Sequence, residues 1–200
     1  SEPDRQRVGI AVTGGTDGIY VLKVMGESPL ADAVDWRRVH VWWGDERFVA
    51  ADDDDRNAKQ AREAWFGKLI EDGLMPAGNI HEMPADGRDA DEIASASPEQ
   101  TDAVLAAAAA EYQRELVEQL GSEPALDIAM FGVGPDAHFA SLFPDHGEAE
   151  IDDPHVLVAG VRDSPKPPPL RRKRPPASCA SGRCRSSWCP PTPPTLTVPG

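Results

Sequence analysis

Residues 126–144 read LDIAMFGVGPDAHFASLFP. Leu126–Phe131 is apolar except for Asp127, the pattern of a short strand buried on both faces. The chain then turns on Gly132, Gly134 and Pro135 and delivers Asp136 and His138 just past the strand end. The same succession recurs elsewhere: VGIAVT (8–13) runs into GGTDG, VHVWW (39–43) into GDERF, and HVLVAGV (155–161) into RDSPK. NIHEM (79–83) is a weaker strand candidate. Helical patterns fall between the strands, near 17–26, over 57–70 and over 98–120. In the last of these Ser97 is placed to cap, Pro98 suits the first turn, AAAAA (106–110) favours helix, and Gly121 suits the end. Strands and helices alternate, so the expected fold is α/β: a mostly parallel sheet with helices on both faces. Ligands in such sheets sit beyond the carboxyl ends of the strands. The polar turns that follow the strands are therefore expected to gather at one edge.

The 200 residues fit one domain with a real core. No run is apolar enough to span a membrane. SEPDRQR at the start carries no apolar signal region, so a cytoplasmic location is the expectation. The net charge is −14, and it is uneven. From Leu170 onward there are six bases and no acid, which leaves 14 bases against 34 acids, or −20, in residues 1–169. Such a surface repels nucleic acid and anionic lipid, and an anionic small molecule would need a locally basic pocket. Residues 170–200 differ in kind, being rich in Arg, Pro, Ser and Cys without any period. They read as a disordered basic tail, or as the product of a shifted reading frame, which we favour. The division expected is thus 1–169 as the α/β domain and 170–200 as the tail. All three cysteines, Cys179, Cys184 and Cys189, lie in that tail at a spacing that matches no usual zinc site. No metal and no cofactor are expected, and the oligomeric state is open.

Four segments carry candidate chemistry. GVGPDA fits the loose dinucleotide fingerprint through Gly132, Gly134 and Ala137. Against that reading, the loop follows a late strand and Pro135 removes a backbone N–H that a phosphate would need. The alternative centres on His138, where a glycine turn near a helix start disfavours the imidazolium and leaves a neutral base; Asp136 is close enough to shape the loop. Arg47 in GDERF follows a buried strand and is either paired locally with Asp45 or Glu46 or available as a fork for phosphate or carboxylate. Lys166 in SPKPPP is held between prolines, as an anchored cation or as part of a surface linker. Gly14 and Gly15 can let backbone N–H groups approach an anion.

Taken together, VHVWWGDERFV, DRN (55–57), FGVGPDAHFASLFP and SPKPPP resemble the 6-phosphogluconolactonase family, within the glucosamine-6-phosphate isomerase/deaminase-like superfamily. The resemblance runs over residues 8–169. It implies a Rossmann-like fold, incomplete here at the C-terminus, and hydrolysis of 6-phospho-D-glucono-1,5-lactone in the pentose phosphate pathway without a cofactor. It implies His138 as catalytic base, Asp45 as a pocket acid, and Arg47, Lys166, Gly14 and Gly15 around the substrate phosphate. Gly132, Gly134 and Asp136 shape the histidine loop. A sugar-phosphate isomerase or deaminase, and an inactive truncated relative, are the alternatives; FASLFP after His138 favours the lactonase. Three departures stand out: Ala137 replaces the usual glycine before the histidine, TGGTDG replaces a turn that tends to read SGGSTP, and the match stops within a residue or two of SPKPPP.

Overall fold

The structure is a computed structural model that describes residues 7–133, 140, 141, 153, 155–162, 164 and 169–173. Its centre is a parallel sheet in the order β2-β1-β4, formed by β1 (Val8–Val12), β2 (Val39–Trp43) and β4 (Ile128–Ala129). The register pairs Val8 with Val39 through Val12 with Trp43, and Ile10 with Ile128. β1 is the middle strand, and Ala11 and Val12 are almost wholly buried. Side chains alternate faces along a strand, yet Val41, Trp42 and Trp43 are all fully buried, so both faces of β2 are covered. The apolar run of the sequence is what that double burial requires.

Helix α1 (Gly15–Glu27) follows β1 and sends Leu22 into the core. Asn57–Ala61 (α2) and Gly67–Glu71 (α3) are joined by a π-helical turn at Arg62–Phe66. The wide turn buries Trp65 and Phe66, neighbours in sequence, and Trp65 meets the Trp36 ring edge-on at 4.8 Å. A short helix α4 (Ala90–Ser95), absent from the sequence reading, starts with an Asp89–Glu92 capping box. Helix α5 (Pro98–Leu120) has the expected bounds, with Ser97 and Gln100 forming a capping box and Gly121 ending it at φ 89°. Its buried stripe is Leu105, Ala108, Ala109, Tyr112 and Leu116, the 3.6-residue spacing of a helix with one face inward. Tyr112 ties this helix to β2: its hydroxyl accepts from Trp43 N at 3.0 Å and donates to the His81 carbonyl at 3.2 Å.

Three strand expectations change. Within 126–133 only Ile128–Ala129 is a strand, and Ile128 is exposed rather than buried on both faces. NIHEM does not extend the sheet as a strand; Ile80 makes one isolated parallel bridge to Val41 after a 3-10 turn at Ala77–Asn79. Within 155–161, only Ala159–Val161 (β5) is a strand, and it lies in a second, antiparallel sheet of order β3-β6-β5. There β3 is Asp45–Arg47 and β6 is Arg171–Lys173. β6 pairs with both neighbours, Arg171 opposite Arg47 and Val161. The boundary expected at 169/170 therefore falls beside a strand: Arg171–Lys173 fill the middle of this sheet, and Leu170 packs beside Phe48 and Leu105. Non-local backbone pairing holds these residues whatever their composition. Residues 174–200 lie outside the described residues. No helix among the described residues is long and apolar enough to cross a membrane.

Candidate active site

Three loops meet at the carboxyl edge of the parallel sheet. β1 leads into Thr13, Gly14 and Gly15; Gly14 is the extended residue that caps α1, and Gly15 has φ 77°. β2 leads into Gly44, whose N–H donates to the Val12 carbonyl at 3.1 Å. β4 leads into Met130, Phe131 and Gly132. A Cβ on Gly44 would come within 2.3 Å of the Phe131 ring, so the turn after β2 and the glycine loop after β4 are in close contact. A cavity of about 110 Å³ opens between α1 and this loop, lined by Thr13, Asp17, Val21, Met130, Phe131 and Gly132 among others. It is smaller than the few hundred Å³ of a typical ligand pocket.

Arg47, at the end of β3, does not pair with its neighbouring acids. Its Nη1 donates to the Asp55 carbonyl at 2.9 Å and to Asn57 Oδ1 at 2.6 Å. Both acceptors are neutral, and Arg47 forms no ion pair among the described residues. Its Nε is buried without a partner among the described residues. Arg171 stands directly across the strand pair from Arg47 and is only 6% exposed. Burial pushes the Arg171 guanidinium down from its ordinary value, the charge of Arg47 adds to that, and Asp45, Asp55 and Glu46 act the other way. Two guanidinium groups thus share one buried neighbourhood, balanced by carboxylates.

The acids have defined tasks. Asp45 is buried, and its Oδ2 accepts from the Ser141 hydroxyl at 2.6 Å. Glu46 is fully buried and accepts from the backbone N–H groups of Arg47, Asn57 and Ala58 at 2.8–2.9 Å. It thereby satisfies the first donors of α2. Burial raises the Glu46 carboxyl above the ordinary range, opposed by the nearby Arg56 and by those N–H groups.

Of the residues singled out in the sequence, the structure brings together Asp45, Arg47, Gly14 and Gly15, with Gly132 lining the cavity beside Thr13. His138, Lys166, Gly134 and Asp136 lie outside the described residues. The chain on either side of His138 is placed: Phe131 packs on Gly44 and Ser141 bonds to Asp45. Three residues of this neighbourhood were not assigned a role by sequence reasoning. Asn57 was noticed only within DRN; Arg171 was hidden by the change in composition after Pro169; Ser141 is 96 positions from its partner Asp45, and no local pattern reveals that bond.

A family model described as glucosamine-6-phosphate isomerases/6-phosphogluconolactonase matches residues 2–172. A 6-phosphogluconolactonase of Streptomyces coelicolor is 37% identical over 176 residues, covering 86% of this chain and 61% of that protein. One from Mycobacterium tuberculosis is 40% identical over 162 residues, covering 81% and 59%. Among solved structures, a 6-phosphogluconolactonase from Trypanosoma cruzi superposes with a TM-score of 0.69 at 26% identity, covering 89% of this chain and 66% of that one. The chain spans about three-fifths of the length of the curated relatives it matches.

Proposed function

Because the chain belongs to the glucosamine-6-phosphate isomerase/6-phosphogluconolactonase family, we propose that it hydrolyses 6-phospho-D-glucono-1,5-lactone to 6-phosphogluconate, a step of the pentose phosphate pathway in the cytoplasm. The observation that carries this reading is Arg47. It is a cation held by neutral acceptors at the carboxyl edge of the sheet, beside the Gly14–Gly15 turn that opens α1. A helix start favours an anion through its free N–H groups and dipole, although Asp17 in the first turn works against it. In this reading Arg47, Lys166 and the glycine turn take the phosphate of the sugar.

A δ-lactone is an activated ester, so water can attack it with the help of one base. His138 accepts the proton as the water oxygen bonds to the carbonyl carbon. The tetrahedral oxyanion then collapses, the bond from that carbon to the ring oxygen breaks, and the imidazolium returns the proton to the departing oxygen. Donors aimed at the oxyanion lower the barrier, and phosphate binding away from the carbonyl supplies orientation. Asp45, bonded to Ser141, acts in this scheme by fixing the far end of the segment that carries His138.

The test is product formation from fresh lactone against an enzyme-free control, in parallel with ammonia release from glucosamine 6-phosphate. Lactone hydrolysis above background without ammonia release is expected. Ammonia release, or no rate above background on either substrate, would overturn the proposal.

A further inference from the structure

We infer that Asn57 is a positioning residue that fixes the Arg47 guanidinium against the Gly14 turn without cancelling its charge. This rests on the reading of that face as phosphate-binding. Asn57 is 1% exposed at the start of α2. Its Oδ1 accepts from Arg47 Nη1 at 2.6 Å, and its Nδ2 donates to the Asp45 carbonyl at 3.0 Å. Its backbone N–H donates to Glu46 Oε1 at 2.8 Å. A flipped amide would set donor against donor at Arg47 and acceptor against acceptor at Asp45, so only one orientation fits. Gly14 closes the third side: a Cβ there would fall 1.7 Å from Asn57 Oδ1.

One amide therefore touches β3, the guanidinium and the turn that opens α1. An amide is the side chain this geometry requires. A carboxylate of the same shape would still accept from Arg47, but it would neutralise the cation and turn an acceptor toward the Asp45 carbonyl. An aliphatic residue would release the guanidinium.

Two readouts test this. The first is hydrogen exchange of the Arg47 Nη–H protons, the group that donates to Asn57 Oδ1, observed by 15N NMR and assigned by its loss in Arg47→Lys. The second is calorimetric affinity for inorganic phosphate. In Asn57→Ala, Arg47 exchange is expected to accelerate about tenfold or more as a charge-assisted bond is lost. In Asn57→Asp, which preserves size, exchange stays slow while phosphate affinity drops about tenfold or more. Unchanged Arg47 exchange in a folded Asn57→Ala protein, or wild-type phosphate affinity in Asn57→Asp, would overturn the inference. If wild type gives no phosphate heat while Arg47 exchange responds to Asn57→Ala, the positioning role stands and the phosphate reading fails.

Discussion

Gly14→Ala separates packing from backbone strain at the glycine turn. Gly14 has φ −92° and ψ −157°, which alanine adopts freely, so the substitution adds only a methyl group. That methyl would lie 1.7 Å from Asn57 Oδ1 and 2.1 Å from its Cγ, and the Asn57 side chain must leave. Its departure breaks the bond to Arg47, charge-assisted and worth about 1.5–3 kcal/mol, and the bond to the Asp45 carbonyl, worth about 1 kcal/mol. Gly14→Ala is therefore expected to cost about 2.5–4 kcal/mol. Gly15→Ala is the control: it has φ 77° and a Cβ there would meet nothing among the described residues, so its cost is backbone strain alone, about 1–2 kcal/mol. Urea unfolding followed by tryptophan fluorescence measures both, since Trp36, Trp42, Trp43 and Trp65 are all buried in the body. If Gly14→Ala proved no more costly than Gly15→Ala, the reasoning about Asn57 at this turn would be refuted.

Other expectations follow from the buried polar groups. Tyr112→Phe leaves the Trp43 N–H without its hydroxyl acceptor and the His81 carbonyl without its hydroxyl donor, and should cost about 1–3 kcal/mol in the same unfolding assay. Glu46→Gln places an amide NH2 against one of three backbone donors and should lower stability by a similar amount, about 1–3 kcal/mol, at neutral pH. Because the folded carboxyl of Glu46 is raised, the folded state binds its proton more tightly. The proton-linked part of the stability from Glu46 is thus full below the ordinary carboxylate range and lost as pH rises through the raised value, and Glu46→Gln should flatten that part of the pH–stability curve. His40 runs the other way: burial lowers it, and the charges of His81 and Arg7 lower it further. Its Nδ1 lies 2.8 Å from His81 Nε2, and His81 Nδ1 lies 2.6 Å from Glu115 Oε1. The unfolded chain therefore takes up the proton first, and stability falls as pH drops below 6.5 toward the lowered folded value. His40→Gln should blunt that acid loss, which a pH series of unfolding midpoints would reveal.

What could be read from the sequence was what local chemistry decides. Ser97, Pro98 and Gly121 marked both ends of α5 because capping and backbone conformation act within a turn. VGIAV and VHVWW announced buried parallel strands because double burial demands continuous apolar residues. The antiparallel sheet was missed because its strands are three residues each and β3 finds its partner β6 more than a hundred positions away. The basic, proline-rich composition around Arg171 concealed a strand whose hydrogen bonds come from the rest of the fold. At the site, Arg47, Asp45, Gly14 and Gly15 were visible because strand ends are where such sheets bind ligands. Asn57 and Ser141 were not, because an Asn at a helix start and a Ser in a loop look ordinary until their partners are in place.

The central claim is that Arg47 holds the phosphate while His138 moves the proton. Steady-state hydrolysis of fresh 6-phosphogluconolactone by wild type, Arg47→Ala and His138→Ala, each corrected for spontaneous hydrolysis, tests it most directly. The account predicts that Arg47→Ala raises KM about tenfold or more with a smaller effect on kcat. It predicts that His138→Ala lowers kcat by about 100- to 10,000-fold and leaves KM close to wild type. A wild-type rate no greater than the enzyme-free control, or a His138→Ala protein as fast as wild type, would contradict it.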